Sequence, residues 1–279
     1  MKNFIFLLIF TCVSILKTEE IPKEEFIIKG WKYSLNKINS AECKYRVEGE
    51  RKILPDGELI KRKLYECEWK YKNGKEVLKV KHFDEKGEIR LHNVFYFDGE
   101  NSSIISFNKD EKYGIILEGK APQIFTFVPP SMFLFYFYPG FFFEELISSS
   151  KIKIIKEERI KGEVCYVISI EKDIFKSKVD ILFWLSRDKG FLPIKIENIR
   201  KDNSMITEIS YIKVGDIWFP KKIVGWNRGK DEAKTGYTMV IYENIKVNEE
   251  INDEEFKVNF EPGAVIYDTR LGTSFEIKK

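Results

Sequence analysis

The sequence predicts a mainly β protein, one domain built from a long antiparallel meander with a single apolar face. Apolar and charged residues alternate with period two through most of the chain, as at Tyr65, Cys67 and Trp69, which is typical of half-buried strands. Turn sequences such as Asn73-Gly74 separate these alternating runs. About a dozen strands are expected, and their apolar face must be buried by closing into a barrel, by packing as a sandwich or by curling around a helix.

The first residues predict an export signal. Lys2 gives a positive start, the apolar run begins at Phe4, and Cys12-Val13-Ser14 is a small-residue cleavage site. Residues 1–14 are therefore expected to be the signal, with cleavage at the latest by residue 20. The apolar run ends at Leu16, short of the ~20 residues of a membrane anchor. An alternative is a lipoprotein signal with Cys12 acylated. In either case we expect a periplasmic or envelope-associated protein.

One longer helix is predicted ahead of the sheet, from Pro22 to Ile38. Ile27, Trp31 and Leu35 recur at helical spacing on one face, and Ile38 continues that face. The helix is expected to bury this face against the apolar side of the sheet. After Ile38 the pattern changes to period two, so the sheet is expected to begin there and to continue as one domain over residues 21–279.

The first two turns predict the register of three strands. The stretch LPDGE is expected to form a bulged type I turn that pairs Leu54 with Glu58, and Asn73-Gly74 a two-residue hairpin. Both registers bring the same apolar side chains to one face. The interior face is expected to carry Tyr45, Cys67, Trp69, Leu78 and Val80, and the opposite face Arg46, Glu66, Glu68 and Lys79. Cys43 and Cys67 then lie diagonally, roughly 7 Å apart, so no disulfide between them is predicted.

Three longer stretches carry a family resemblance. They are FYFDGENSSIISF at 95–107, ILFWLSRDKGFLPIKIENIRKDNSMITEISYIKVGDIWFPKKI at 181–223 and FEPGAVIYDTRLG at 260–272. With the order of signal, Trp-containing helix, meander and hydrophobic insertion, the chain resembles the LolA-like superfamily of lipoprotein carriers. The resemblance implies an incomplete antiparallel barrel around an apolar cavity, with an N-terminal helix and short helical segments as a lid. It also implies transport of acyl chains across the periplasm.

The hydrophobic insertion, residues 121–150, is unusually aromatic. Eight of the eleven residues from Phe133 to Phe143 are aromatic. A transmembrane helix is disfavoured, because Pro129, Pro130 and Pro139-Gly140 interrupt the run. Two interpretations remain: ordinary core, or a lid whose rings face a ligand cavity or a membrane surface, which we favour. A short helix is expected to begin with Ser131 as its cap.

No catalytic or metal-binding motif is present in the sequence. The two histidines, His82 and His92, belong to no zinc-protease pattern, and nucleophile-elbow, P-loop and dinucleotide motifs are missing. His82 is expected to be a satisfied core histidine. With 47 basic and 44 acidic residues and no basic block, nucleic acid is not an expected partner. No cofactor or metal is predicted, and the protein is not expected to be an enzyme.

We therefore expect a non-catalytic, chaperone-like carrier or binder of a lipid or a lipoprotein acyl chain, served by inner- or outer-membrane transfer partners. The alternative is an envelope sensor or scaffold that uses the same fold to bind a protein partner. The apolar cavity and the lid are expected to contact the ligand through fourteen residues: Trp31, Tyr45, Cys67, Trp69, Leu78, Val80, Phe125, Phe127, Met132, Phe133, Phe135, Phe137, Phe141 and Phe142.

Overall fold

The computed structural model describes residues 23–52, 59–108, 111–119, 128–136, 151–174, 177–199, 203–229 and 234–278. Helix α1 spans Glu24–Asn36. The strands are β1 Ser40–Lys52, β2 Leu59–Lys72, β3 Lys75–Phe83, β4 Ile89–Phe97, β5 Asn101–Asn108, β6 Glu111–Glu118, β7 Lys151–Ile160, β8 Glu163–Ile174, β9 Ser177–Ser186, β10 Leu192–Ile199, β11 Ser204–Val214, β12 Ile217–Arg228, β13 Lys234–Val247, β14 Val265–Asp268 and β15 Thr273–Glu276. Short helical turns lie at Met132–Tyr136, Arg187–Lys189 and Asp253–Phe256. The predicted export signal lies outside the described residues.

The described strands form one sheet in the order β15-β14-β6-β5-β4-β3-β2-β1-β13-β12-β11-β10-β9-β8-β7. The sheet curls into a half-barrel that does not close, because β15 and β7 are its two ends and do not pair with each other. The predicted fold class is confirmed. One detail is corrected: the sheet is mixed, since β14 pairs parallel with β6 while the other neighbours are antiparallel.

Helix α1 packs on the concave face as its sequence pattern predicts. Ile27, Trp31 and Leu35 are buried, and Ile38 just beyond the helix is buried as well. The Trp31 ring lies 5.6 Å from the ring of Phe183 on β9. The core of the protein therefore lies between α1 and the inner face of the sheet.

The predicted registers hold over most of β1, β2 and β3. Tyr45 pairs with Cys67, and Cys67 pairs with Val80, so Cys67 is buried whereas Glu68 is exposed. Nearer the first turn a bulge after Val47 shifts the pairing by one residue, so that Lys52 lies opposite Leu59. The uniform register predicted from Leu54–Glu58 is wrong there, because the bulge lies inside the strands. The turn itself lies outside the described residues.

A crossover segment, residues 248–264, connects β13 to β14 over the outer face of the sheet. Its Ile251 and Phe256 are buried against Val77 and Val94, which point outward from β3 and β4. Lysines of β2 and β6 form ion pairs with acidic residues of the segment: Lys70 with Glu255 at 2.9 Å, Lys72 with Asp253 at 3.0 Å, and Lys112 with Glu261. This crossover delivers β14 to β6 in the parallel direction.

Candidate ligand-binding site on the concave face

The strand residues predicted to line a cavity lie together in the core on the concave face. Trp31, Tyr45, Cys67, Trp69, Leu78 and Val80 are all buried in one hydrophobic cluster. Neighbouring protein side chains occupy the space around them. The Tyr45 ring lies 5.1 Å from the ring of Tyr242, and the Trp69 ring lies 6.3 Å from that of Phe219. Ligand contact by these six residues stays a prediction.

The inner segment, residues 128–136, crosses the concave face. Its Phe133 and Leu134 are buried in the same cluster, and Met132 is partly buried against it. Phe133 therefore faces the concave side, as the lid interpretation and the core interpretation both require. The backbone of Phe135 belongs to the π-helical turn Met132–Tyr136. The side chain of Phe135 and the predicted ligand contacts Phe125, Phe127, Phe137, Phe141 and Phe142 lie outside the described residues.

Two of the described hydrogen bonds, from Ser131 and from Tyr242, fasten the inner segment to the sheet. The Ser131 hydroxyl donates to Oε1 of Glu76 on β3 at 2.6 Å. Within the sheet, the Trp69 indole donates to the same oxygen at 2.6 Å. Glu76 is 1% exposed, and a buried carboxylate requires such donors. At the start of the segment, the Tyr242 hydroxyl donates to the carbonyl oxygen of Val128 at 2.7 Å. The predicted capping role of Ser131 is wrong, because the amides of Phe133 and Leu134, which a capping side chain would accept from, donate to the Pro130 carbonyl oxygen instead.

A concave pocket of about 280 Å³ separates the inner segment from β11, β12 and β13. Its lining consists of Val128, Met132, Phe133, Met205, Thr207, Ile223, Gly225, Trp226, Asn227, Gly236, Thr238 and Val240. Two of these, Met132 and Phe133, are among the predicted contacts. The strand residues on the other side were not predicted. The alternation of apolar and polar residues predicts which side chains point to the inner face. It does not predict which part of that face is filled by protein side chains and which part borders a pocket.

Small side chains create the space on the strand side of the concave pocket. Thr207, Gly225 and Thr238 face one another across three paired strands. A Cβ atom added at Gly225 would meet nothing closer than the Ile206 carbonyl oxygen at 3.8 Å and the Thr207 hydroxyl at 3.9 Å. A larger side chain at position 225 would therefore extend into the pocket without displacing the backbone.

The described lining of the concave pocket contains no residue that ionises near neutral pH. The pocket can therefore bind an apolar group but provides no acid or base. Among the described residues no cluster of three or more His, Cys, Asp or Glu side chains could hold a metal ion. His82 lies on the inner face, where its Nε2 is 3.1 Å from the Asn93 amide nitrogen and its ring packs edge-on against Tyr65. Burial lowers its pKa below the usual histidine value.

The described part of the chain contains no helix with the length and apolar character that crossing a bilayer requires. The proline-interrupted inner segment is a short turn against the sheet, in agreement with the sequence prediction for its described residues.

Comparisons with known proteins agree on the fold. A family model described as "Uncharacterized protein" matches residues 143–260. A LolA superfamily protein from Nitrosomonas europaea superposes with a TM-score of 0.50 at 13% identity, covering 85% of this chain and 99% of its own. An outer-membrane lipoprotein-sorting protein domain from Vibrio parahaemolyticus gives a TM-score of 0.51 at 11% identity, covering 82% and 94%.

A DUF1329 family protein from Desulfovibrio piger gives a TM-score of 0.50 at 11% identity, covering 83% of this chain and 97% of its own. No curated protein matches the sequence. At 11–13% identity these likenesses show the fold alone: the chain shares the fold of these three structures.

Proposed function

From the LolA-like half-barrel and its concave pocket, we propose that this protein is a non-catalytic binder and carrier of an acyl chain. The observation that carries the proposal is the pocket lining, which is mostly apolar, includes small residues on the strand side and contains no ionisable group in its described part. Such a lining suits a methylene chain and provides no group for acid–base chemistry. The inner segment would cover the bound chain, held in place by Ser131 and Tyr242.

The size of the pocket suits one chain. Ligand pockets commonly measure ~300–1,000 Å³, and the concave pocket, at about 280 Å³, lies just below that range. Each methylene taken from water into the pocket contributes ~0.8 kcal/mol, so a short stretch of chain provides useful affinity. Thr207, Thr238 and Asn227 supply hydrogen-bonding side chains at the lining, which suits a ligand with a polar ester or carboxyl end.

The proposed lipid class is supported by the structural neighbours. One structural neighbour is an outer-membrane lipoprotein-sorting protein domain. On that basis we propose lipoprotein acyl chains or membrane lipids as ligand, an exported protein of the periplasm or envelope, and membrane proteins that deliver and receive the cargo. An envelope sensor or scaffold that binds a protein partner is the other function considered from the sequence, and no contact in the described residues favours it.

The test replaces Gly225 by a larger residue whose side chain fills the concave pocket. Gly225→Leu is expected to lower the affinity for a fluorescent fatty acid at least tenfold, since a side chain that displaces about two methylenes removes ~1.6 kcal/mol and ~1.4 kcal/mol is a factor of ten. Titration followed by fluorescence measures the dissociation constant.

Val224→Leu is the matched control. Val224 is the preceding residue of β12 and points to the outer face, so this variant is expected to bind as the wild type does. Equal binding by Gly225→Leu and the wild type, with both folded by circular dichroism, would contradict the proposed site. Lack of fatty-acid binding by the wild type, together with a co-purified protein partner, would favour the sensor or scaffold function.

A further inference from the structure

An outer cavity of about 470 Å³ lies on the face of the sheet opposite the concave pocket. Side chains of β1, β2, β3, β4 and β13 that point outward surround it. Its cationic members are Lys44, Arg46, Lys79 and Lys81, and its histidine is His92. Neither the fold nor the acyl-chain proposal gives this cavity a role.

The acidic residues of the outer cavity are already paired on its β1 and β2 side. Glu68 forms an ion pair with Lys44 at 2.9 Å, and Glu66 with Lys63 at 2.7 Å. The third carboxylate, of Glu243, pairs with Arg46. Each of these three carboxylates forms its contact ion pair with a cation other than the lysines of β3.

Lys79 and Lys81 therefore lack a carboxylate partner at ion-pair distance among the described residues. Their charges still act over a longer distance: after Lys44, both lower the pKa of Glu68, and after Lys70, Lys79 lowers that of Glu255. In the strand register Lys79 lies opposite Glu68 and Lys81 opposite Glu66, yet both carboxylates bond to other lysines. No ion pair or hydrogen bond of either lysine side chain occurs among the described residues. Other outward-facing lysines of this region, Lys70 and Lys246, do have acidic partners.

His92 completes the unpaired set. His92 is on β4, directly opposite Lys81 of β3. Its ring stacks on that of Phe107, with ring centroids 5.5 Å apart. Burial, and then the charges of Lys81 and Lys79, lower its pKa, while Glu68 acts in the opposite direction. The imidazole is accordingly neutral at pH 7 and offers one N–H donor.

We propose that the outer cavity binds a phosphate group, with Lys79 and Lys81 pairing with its oxygens and His92 donating to it. Alternate residues of one strand lie ~7 Å apart, so two lysine side chains can converge on one tetrahedral anion. A phosphate monoester carries close to two negative charges at pH 7, which matches the two unpaired lysines. The source is either a soluble phosphate compound or the headgroup of a membrane lipid. The site is independent of the concave pocket.

The chain has two histidines, which provides an internal reference. The imidazole proton signals of the full chain are titrated by NMR with inorganic phosphate present, and again with sodium chloride at equal ionic strength. Phosphate is expected to raise the pKa of His92 by about half a unit or more, because the bound anion offsets Lys79 and Lys81. His82, on the inner face, is expected to change far less. Assignment uses the variant His82→Asn.

The variant Lys79→Gln/Lys81→Gln is expected to abolish the phosphate effect on His92. The control Lys86→Gln/Lys278→Gln removes two positive charges from exposed positions away from the cavity and is expected to retain it. Three results would overturn the proposal: no saturable effect of phosphate, an equal effect of chloride, or an undiminished effect in the Lys79/Lys81 variant.

Vesicles then distinguish the two sources of phosphate. Co-sedimentation is measured with vesicles that contain phosphatidic acid, an anionic lipid whose phosphate is a monoester, and with phosphatidylcholine vesicles at equal salt. If the wild-type protein binds the anionic vesicles and the Lys79→Gln/Lys81→Gln variant does not, the site is assigned to lipid headgroups. A phosphate effect in the NMR titration without vesicle binding assigns it to a soluble phosphate compound. Vesicle binding that the variant retains contradicts a headgroup role for this cavity.

Discussion

Glu76 makes the contact that positions the inner segment over the concave pocket. Ser131→Ala removes the hydrogen bond that the Ser131 hydroxyl donates to Oε1 of Glu76, an oxygen that also accepts from the Trp69 indole. A buried acceptor that loses a donor typically costs about 1–3 kcal/mol, so urea denaturation is expected to show a loss of that size, together with weaker fatty-acid binding. Ser131→Thr keeps the hydroxyl and is expected to restore most of both. If the Ser131→Ala variant is as stable as the wild type and binds the fatty acid with unchanged affinity, the positioning role of the Ser131–Glu76 hydrogen bond is contradicted.

The cysteines yield a second prediction at the scale of single residues. Cys43, Cys67 and Cys165 are free and buried. Burial raises the pKa of Cys67 to about 12 and that of Cys165 to about 11, and it raises the pKa of Cys43 well above its usual range. The thiolate is the reactive form, so at pH 8 all three thiols are protonated.

Iodoacetamide at pH 8 is therefore expected to leave the three thiols of the folded protein unmodified and to alkylate them in urea, as measured by mass spectrometry of peptides. Modification of Cys67 in the folded protein at the rate seen in urea would show that the inner face is open at this position.

At the scale of single residues, the sequence predicted which face of a strand a side chain occupies but not where a pocket lies. Alternation placed Tyr45, Cys67 and Trp69 on the inner face correctly, because period two fixes the side of a strand to which a side chain points. It did not reveal the concave pocket. That space arises because the residues that meet the inner segment there are small, as at Gly225, and which strands meet this segment is decided by the curvature of the whole sheet.

At the scale of elements, the crossover segment holds the C-terminal strands to the sheet. Phe256 is 5% exposed and packs with Ile251 on the outward-facing Val77 and Val94. Replacing a buried Phe by Ala typically costs ~3–5 kcal/mol. Phe256→Ala is expected to lower the free energy of unfolding by an amount in the lower part of that range, because the cluster around Phe256 is small.

The matched control is Phe26→Ala on the surface of α1. Phe26 is 61% exposed, so its loss is expected to cost less than about 1 kcal/mol. Urea denaturation measures both variants. Equal stability of the Phe256→Ala variant and the wild type would show that the crossover segment contributes little to holding β14 in place.

The elements themselves could be predicted well, and their pairing less so. The alternating strands and the hairpin of β2 and β3 followed from alternation and from Asn73-Gly74, which are local signals. The parallel pairing of β14 with β6 could not be predicted in this way. It depends on the route of the crossover segment and on the ion pairs of Lys70 and Lys72 with that segment, which join residues far apart in the sequence.

For the whole molecule, one curled sheet provides two different surfaces. The concave face carries the core and the apolar pocket beneath the inner segment. The outer face carries the crossover segment and the cationic outer cavity. Because alternate residues of a strand point to opposite faces, one sheet can supply an acyl-chain site on the concave side of β11 to β13 and a phosphate site on the outer side of β3 and β4.

Native mass spectrometry of the protein, purified from a bacterial envelope fraction without detergent, tests the central claim most directly. The account predicts a single acyl-chain ligand on the wild-type protein, identified as a fatty-acyl lipid after organic extraction. It predicts loss of this ligand from Gly225→Leu and retention in Val224→Leu. A ligand-free wild-type protein, or an equal lipid content in the wild type and Gly225→Leu, would contradict acyl-chain binding in the concave pocket.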